Sequence, residues 1–384
     1  RKSDGTTVAV PLAQLSPADR AFAASLKKAM GPTDGDGAGS AEAATFSRLK
    51  SGRPVTGKRA PGVEILDETI DQFMDLIGCQ AGTVAVAYGG KLLYSRGYGW
   101  LDEAKQRPVV PETTMRIASL SKPITAAAIK SLIRARRLDP NDLVFPNLEL
   151  EPPAGSVVDP RINQITVLHL LEHKGGFDPG QSFDPMFAID RIERELGLET
   201  PAKPVDVIRF MLGQPLQFNP GQRSSYSNYG YCVLGRVIEK ASGKSYIDYV
   251  QQTIARPLRI QDLTLSRNRP EDRPPSEVNY RTDGSPFTVE VMDAHGGLST
   301  STLSLCKFMR AYWISGEPRR RGDQQNWLFF GSLPGTTAMM QQRQDGILCA
   351  VLLNNRRDDQ FAADDDRLRE VVSQAIDRLK AGSR

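Results

Sequence analysis

The chain has 384 residues, of which 40% are hydrophobic and 24% are charged, and its formal net charge is +4 at pH 7. A chain of this length can bury a large hydrophobic core. So small a net charge gives no reason to expect nucleic acid or a membrane surface as a partner. The sequence contains no run of about 18 apolar residues, so no transmembrane segment is predicted.

The first 27 residues are predicted to form a short N-terminal unit, with a hairpin-type turn at Asp4-Gly5 and a helix start at Ser16-Pro17. This unit resembles the last half of a Sla-homology module, a small β-barrel found at the N-terminus of some large bacterial extracytoplasmic proteins. We therefore interpret residues 1–27 as a partial module. The chain begins at Arg1 without a signal-type apolar stretch, so we expect that a leader has been removed or that the chain is a fragment.

Residues 28–60 are predicted to be a flexible linker, because the Gly- and Asp-rich stretch 31–40 lacks apolar periodicity. Residues 61–384 are predicted to form one folded domain. Apolar periodicity in this domain predicts helices at Glu64 to Gly78, Ser119 to Arg137, Val205 to Leu212, Tyr229 to Ala241, Ser299 to Phe308 and Asp364 to Lys380. It predicts strands at Thr83 to Tyr88, Lys91 to Tyr98, Thr336 to Gln341 and Ile347 to Asn354.

Strands at both ends of this domain surround a helical middle, at about residues 140–285. This order predicts an α/β (α+β) fold in which one sheet is built from the two ends of the domain. A helical lobe would then be inserted between the two halves of the sheet.

A first candidate for chemistry is Ser119-Leu120-Ser121-Lys122, at the start of a strongly apolar predicted helix. Positions i and i+3 lie on one face of a helix, so Lys122 can reach the Ser119 hydroxyl. A partly desolvated lysine can lose its proton and act as a base. The same Ser-x-x-Lys spacing also occurs at Ser25, Ser47 and Ser304, so the buried setting of Ser119, rather than the spacing, carries the prediction.

A second candidate is Tyr226-Ser227-Asn228, in a polar turn before a predicted helix. A tyrosine phenol near a lysine ammonium has its ionised form favoured, so Tyr226 could shuttle protons. The Asn228 amide offers both a donor and an acceptor to a substrate. Without Ser119 nearby, this stretch would be interpreted as an ordinary turn.

Together these stretches resemble the serine β-lactamase and penicillin-binding-protein superfamily. The resemblance is strongest to the branch with class C β-lactamases, D-alanyl-D-alanine carboxypeptidases and family VIII esterases. It runs from about residue 61 to residue 380 and rests on four segments in the family's order. These segments are M-R-I-A-S-L-S-K-P-I-T-A-A-A-I, I-T-V-L-H-L-L-E-H-K-G-G-F, N-P-G-Q-R-S-S-Y-S-N-Y-G-Y and G-G-L-S-T-S.

The resemblance implies a class C β-lactamase-like fold and a role for each matching residue. Ser119 matches the acylated nucleophile, and Lys122 the residue that helps to deprotonate it. Tyr226 matches the proton shuttle that also activates the deacylating water, and Asn228 the residue that orients the substrate. No metal or organic cofactor is implied, the expected partner is a small ester or peptide-like substrate, and an extracytoplasmic bacterial location is expected.

The third motif of the family is usually Lys- or His-x-Gly, and the matching residues are Phe329-Phe330-Gly331-Ser332. The glycine allows the backbone to approach a ligand, and the Ser119 and Ser332 N–H groups would form the oxyanion hole. Phe329 stands where the family usually has a cation that helps to bind a substrate carboxylate. This departure favours a neutral ester substrate. On a strand, Phe329 and Phe330 should face opposite sides, with Phe329 toward the cleft.

Several alternatives remain open. His295-Gly296-Gly297 also fits the third motif. The substrate could be a β-lactam or a D-amino-acid peptide, as for a D-alanyl-D-alanine carboxypeptidase or D-aminopeptidase. The altered third motif could also indicate a non-catalytic binding module.

A zinc peptidase is a further alternative, because His169, Glu172 and His173 have an H-x-x-E-H spacing. Two histidines four residues apart on a helix can bind zinc, with the glutamate acting as a base. Against this interpretation, Gly175 and Gly176 end the helix at once.

Overall fold

The computed structural model describes residues 47–57, 64–280, 287–320 and 322–381. The N-terminal unit at 1–27 and most of the predicted linker lie outside the described residues. Among the described residues, the strands are β1 Ser47–Arg48, β2 Pro54–Thr56, β3 Ala81–Tyr88, β4 Lys91–Gly99, β5 Met115–Arg116, β6 Thr264–Leu265, β7 Leu298–Thr300, β8 Trp327–Leu333, β9 Thr336–Gln342 and β10 Ile347–Leu353.

The α-helices of the described part are α1 Glu64–Leu76, α2 Ser121–Arg134, α3 Val144–Leu148, α4 Val167–Leu171, α5 Ile189–Leu196, α6 Pro204–Leu212, α7 Asn228–Ser242, α8 Tyr246–Val250, α9 Thr302–Ala311 and α10 Phe361–Ala381. Short 3-10 helices include Ala118–Leu120 and Pro185–Phe187, both important for the site. None of the helices described is long and apolar enough to cross a bilayer.

The main sheet has the strand order β1-β2-β4-β3-β10-β9-β8, and each neighbouring pair is antiparallel. The central pair joins β3, near the start of the domain, to β10, near its end, with Val84 opposite Val351. The prediction of one sheet built from both ends of the domain, flanked by helices, is therefore confirmed. A small second sheet has the order β5-β7-β6.

The two faces of the main sheet pack against different layers. Side chains alternate along a strand, so Val84 and Val86 contribute to a core with α1 and α10. Their neighbours Ala85 and Ala87 contribute to a larger core that includes α2, α9 and the helical lobe. The sheet thus separates a two-helix layer from the layer that carries the candidate site.

The prediction of a linker up to residue 60 is wrong for residues 47–57. These residues form β1 and β2, and β2 extends the main sheet by pairing with β4. Val55 is buried in the core, and the Thr56 hydroxyl donates to the Val109 carbonyl oxygen over 2.6 Å. Such short strands carry too little periodicity to be recognised in the sequence.

Two predicted helices also differ at their ends. The helix expected at Ser119 begins as the 3-10 turn Ala118–Leu120 and becomes α-helical only from Ser121. The helix expected at Ser299 begins at Thr302, because β7 occupies Leu298–Thr300 and Ser301 is the N-cap. In the second case, the pairing of β7 with β5 and β6 takes the residues that were expected to begin the helix.

Candidate active site

Ser119 lies in a turn that the two sheets hold in place. β5 pairs with β7, and the Ile117 N–H then donates to the Leu298 carbonyl oxygen over 2.9 Å. The next residue, Ala118, has φ +47°, in the left-handed region that residues with a Cβ atom rarely adopt. This backbone strain occurs directly before Ser119, as is common at functional sites.

Lys122 is in the first turn of α2, and its side chain is almost fully buried. Its Nζ is 3.1 Å from Ser119 Oγ, 2.7 Å from Asn228 Oδ1 and 2.9 Å from the His295 carbonyl oxygen. Burial lowers the pKa of Lys122 to about 7, although the negative charge of Asp184 acts in the opposite direction. A lysine with this pKa is a mixture of base and acid near neutral pH, as proton transfer requires.

Tyr226 approaches the same serine from the segment before α7. Its hydroxyl donates to Ser119 Oγ over 2.8 Å, while the side chain as a whole remains 44% exposed and can be reached from solvent. Burial around the hydroxyl raises the pKa of Tyr226 to about 12. The expectation that Lys122 favours the tyrosinate is therefore wrong for this state of the site, because burial of the phenol is the largest influence on the pKa of Tyr226 and raises it.

His173 supports Tyr226, although the sequence analysis gave it no such role. Its ring lies between Tyr226 and Tyr231, with centroid distances of 4.8 and 5.1 Å. Its Nδ1 accepts from the Ser227 N–H over 3.1 Å, and Ser227 is the N-cap of α7. Burial, and then the Lys122 charge, lower the pKa of His173 to about 4, so the ring is a neutral support at physiological pH.

The Asn228 amide links Lys122 to a residue that sequence reasoning missed. While Asn228 Oδ1 accepts from Lys122, its Nδ2 donates to Asp184 Oδ2 over 2.6 Å. Asp184 is the N-cap of the 3-10 helix Pro185–Phe187, and burial raises the pKa of its carboxyl. The sequence signal for this residue was Asp184-Pro185, which is typical of a helix start.

The edge strand β8 passes close to the nucleophile turn. A Cβ atom on Gly331 would overlap the Ile117 carbonyl oxygen and would lie 3.2 Å from the Ala118 Cβ. Only glycine permits this approach, so the structure brings the predicted third motif to the site. The neighbouring Ser332 hydroxyl accepts from Arg356 Nη1 over 3.4 Å. In an antiparallel edge strand, about half of the N–H groups point away from the partner strand. The predicted oxyanion-hole role of the Ser332 N–H requires it to be one of these, and that role stays a prediction.

The two phenylalanines of β8 lie on opposite faces of the sheet, as predicted. Phe329 packs against the core that contains Ile117 and Ala118, and Phe330 packs against the core of α1 and α10. Phe329 is therefore on the side of the candidate site. Contact between Phe329 and a substrate stays a prediction.

The alternative third motif at His295-Gly296-Gly297 is not in an equivalent place. It lies in the turn before β7 rather than on the edge of the main sheet, and the His295 side chain is buried. Its contribution to the site is its carbonyl oxygen, which accepts from Lys122. Burial lowers the pKa of the His295 ring well below its usual value, so the ring is neutral.

The two histidines of the H-x-x-E-H sequence have other partners. His169 forms a capping box with Thr166, and His173 lies beyond the end of α4 with a left-handed φ of +56°. Because the helix ends at Leu171, the two rings do not share a helical face as a zinc site would need. Among the described residues, no group of three or more His, Cys, Asp or Glu side chains could hold a metal ion.

Comparison with known proteins agrees with this arrangement. The Beta-lactamase family model matches residues 66–342. The probable fimbrial assembly protein FimD, serogroup H1, of Dichelobacter nodosus is 29% identical over 263 residues, covering 65% of this chain and 60% of that protein. Esterase EstB of Burkholderia gladioli is 30% identical over 236 residues, covering 59% of this chain and 57% of the esterase. The matched part is thus about 60% or less of the length of these relatives.

Solved structures of lower sequence identity share the fold. The D-amino acid amidase from Ochrobactrum anthropi has a TM-score of 0.64 at 19% identity and covers 84% of this chain and 99% of its own. The octameric penicillin-binding protein homologue from Pyrococcus abyssi has a TM-score of 0.60 at 23% identity, covering 76% of this chain and 73% of its own. At identities this low, the likeness shows the fold alone.

Proposed function

Because the chain belongs to the β-lactamase family, we propose that it is a serine hydrolase that cleaves a small carboxylic ester through an acyl-enzyme on Ser119. One observation carries the proposal. The Ser119 hydroxyl is contacted at once by Lys122 Nζ over 3.1 Å and by the Tyr226 hydroxyl over 2.8 Å. A hydroxyl held between a base and a proton donor is the arrangement that nucleophilic catalysis needs.

In the proposed acylation step, neutral Lys122 takes the Ser119 proton as Oγ attacks the ester carbonyl carbon. The low pKa of Lys122, about 7, makes the neutral amine available near physiological pH. The Ser119 and Ser332 N–H groups would stabilise the oxyanion, and one such donor typically contributes about 2.7–4 kcal/mol. Collapse of the tetrahedral intermediate breaks the bond to the leaving alcohol.

Tyr226 acts in this scheme as the donor to the leaving group. With a pKa of about 12 it holds its proton at neutral pH and can pass it to the departing alkoxide. The Lys122 ammonium, whose Nζ is 4.7 Å from the Tyr226 ring centroid, then restores the phenol. The same groups run in reverse for deacylation, with a water molecule in place of the alcohol.

An ester is the preferred substrate because Phe329 stands on the site side where the family usually has a cation. A relative is also named as an esterase. A β-lactam or D-amino-acid peptide with a free carboxylate would lack its usual partner there. The likeness to penicillin-binding proteins also supports an extracytoplasmic location, and residues 1–27 are proposed as a separate partial module.

The test compares p-nitrophenyl butyrate with nitrocefin, using the wild type, Ser119→Ala and Ser47→Ala. Ser47 is a matched control, because it has the same Ser-x-x-Lys spacing but lies exposed on β1. We expect Ser119→Ala to lower ester turnover and fluorophosphonate labelling by about 10³-fold or more, and Ser47→Ala to leave both unchanged.

Labelling that persists in Ser119→Ala would contradict the nucleophile assignment. Faster turnover of nitrocefin than of the ester would contradict the substrate class and favour a β-lactamase. A folded wild type that neither turns over an ester nor becomes labelled would indicate a binding module.

A further inference from the structure

The Asn228 amide is fixed in one orientation by the groups at its two ends. Its Nδ2 is 2.6 Å from Asp184 Oδ2, and its Oδ1 is 2.7 Å from Lys122 Nζ. An ionised carboxylate can only accept hydrogen bonds, so the NH₂ end of the amide must face Asp184. The amide oxygen must then face Lys122, and the reversed orientation would place two acceptors against each other.

Asp184 is itself held by the backbone. Its other oxygen, Oδ1, accepts from the Met186 N–H over 3.0 Å, and the Met186 side chain is fully buried. One carboxylate oxygen thus anchors the residue and the second one bonds to Asn228. The carboxylate, the start of α7 and the start of α2 meet at this point.

The direction of the Asn228 amide decides where a neutral Lys122 can present its lone pair. A neutral amine has two N–H groups and one lone pair. The carbonyl oxygens of Asn228 and His295, at 2.7 and 2.9 Å from Nζ, can accept but cannot donate. These two oxygens accept hydrogen bonds from both N–H groups of the neutral amine. The lone pair then faces the third neighbour, Ser119 Oγ at 3.1 Å.

We propose that Asp184 is a positioning residue that holds the Asn228 amide so that the lone pair of Lys122 points at the Ser119 hydroxyl. This inference rests on the proposed function, because it needs Lys122 to act as the base for Ser119. A reversed Asn228 would turn its NH₂ group toward Lys122 and compete with Ser119 for the lone pair.

The key variant is Asp184→Asn, which keeps the size of the side chain. Its carbonyl oxygen would keep the bond from the Met186 N–H, so its NH₂ group would face the NH₂ group of Asn228. This clash of two donors favours a reversed Asn228. We expect kcat for the ester to fall by about tenfold or more, with little change in KM.

The pH profile separates this effect from simple loss of packing. The charged and titratable groups that face Lys122 are Asp184, Tyr226, Tyr231, His173 and His295. Both histidines are held neutral and both tyrosines keep their protons, so Asp184 is the charge among these groups that favours the Lys122 ammonium. Removing that charge lowers the pKa of Lys122, because the ammonium loses a favourable neighbour. The acid limb of the pH profile of kcat/KM should therefore move to lower pH.

The double variant Asp184→Asn with Asn228→Asp restores the pattern of donors and acceptors. The new amide at position 184 then donates to one oxygen of the new carboxylate at position 228, and the other oxygen of that carboxylate accepts from Lys122. We expect kcat to recover at least tenfold over Asp184→Asn at high pH, with the acid limb moved above that of the wild type, because the new carboxylate contacts Lys122 directly.

Asp190→Asn, on the exposed side of α5, is the matched control and should behave as wild type. Asp184→Ser keeps a capping oxygen for the 3-10 helix Pro185–Phe187. It replaces Asp184→Asn in the measurements of kcat and the pH profile if Asp184→Asn does not fold. An unchanged kcat in Asp184→Asn overturns the proposal. A lower kcat with an unshifted acid limb and no recovery in the double variant also overturns it.

Fluorophosphonate labelling of Ser119→Ala, measured in parallel, distinguishes a failure of the proposed function from a failure of the role of Asp184. Persistent labelling of Ser119→Ala contradicts the proposed function. Labelling lost in Ser119→Ala but as fast in Asp184→Asn as in wild type contradicts only the role of Asp184.

Discussion

At the scale of single residues, the two cations described at the candidate site already have protein partners. Arg356 contacts the Ser332 hydroxyl and pairs with Asp358. Lys122 is buried and its three nearest polar partners are protein groups. Phe329 lies on the site side of β8, where the family would usually supply a cation. A substrate carboxylate bound beside Phe329 would therefore lose its hydration without gaining an ionic partner from that side chain, which is costly.

Phe329→Lys should reverse this preference. A charge-assisted hydrogen bond contributes about 1.5–3 kcal/mol, so kcat/KM for nitrocefin or a D-alanyl-D-alanine peptide should rise about tenfold or more relative to p-nitrophenyl butyrate. Phe330→Lys is the matched control, since Phe330 faces the opposite core and should leave this ratio unchanged. Equal ratios in both variants would contradict our interpretation of this position.

The residues that the sequence predicted and the residues that it missed differ in how far their partners lie along the chain. Ser119 and Lys122 are three residues apart, so helical geometry alone connects them. Asp184 meets Asn228 from 44 residues away, and His173 meets Ser227 from 54 residues away. No local pattern encodes such contacts, because they depend on how the helical lobe folds back onto α7.

At the scale of secondary-structure elements, the site depends on the approach of β8 to the 3-10 turn at Ser119. The longer helices and the strands β3, β4, β9 and β10 were predicted, some with shifted ends, because each carries several turns or alternations of apolar residues. The shorter helices α3, α5 and α8 were not predicted. The strands β1, β2 and β5 have two or three residues each and no such repeat. Their positions follow from pairing with distant strands, which the sequence alone does not indicate.

Gly331→Ala tests the approach of β8 directly. The added Cβ would overlap the Ile117 carbonyl oxygen, so the strand must move away from the nucleophile turn. We expect a loss of about 1–3 kcal/mol in the free energy of unfolding. We also expect a fall of about 100-fold in kcat, because a misplacement of about 1 Å in an oxyanion donor is enough for that.

Gly230→Ala, in the first turn of α7, is the control for Gly331→Ala. The nearest atoms to its Cβ are 3.7 Å away, which is ordinary van der Waals contact. An alanine within a helix is about 0.5–1 kcal/mol more favourable than glycine, so this variant should be at least as stable as wild type. If Gly331→Ala matched it in stability and kcat, the close approach of β8 would not matter for the site.

At the scale of the whole molecule, closing the sheet assembles the site. β3 and β10 come from opposite ends of the domain, and their pairing brings β8 and β9 beside the segment that carries Ser119. The helical lobe lies between these segments in the sequence and supplies Tyr226, Asn228 and Asp184. Stability of the main sheet and activity of the site should therefore be coupled.

The stability of the main sheet should also depend on β1 and β2 at its far edge, which can be removed by truncation without touching the site. Two chains are compared, one beginning at Ser47 and one at Lys58. The second chain loses the buried Val55 side chain, worth about 1.5–3 kcal/mol, and the Arg53–Asp71 ion pair of 2.6 Å. It also exposes the edge of β4, whose residues Tyr98 and Gly97 pair with β2.

We expect the chain from Lys58 to unfold at a Tm about 5 °C or more below that of the chain from Ser47, measured by differential scanning calorimetry. Because β1 and β2 lie at the opposite edge from β8, kcat at 25 °C should change by less than about twofold while the shorter chain remains folded. Residues 1–46 are absent from both chains, so the difference reports on residues 47–57 alone. Equal Tm values would show that these residues are dispensable, as a linker would be, despite their pairing with β4.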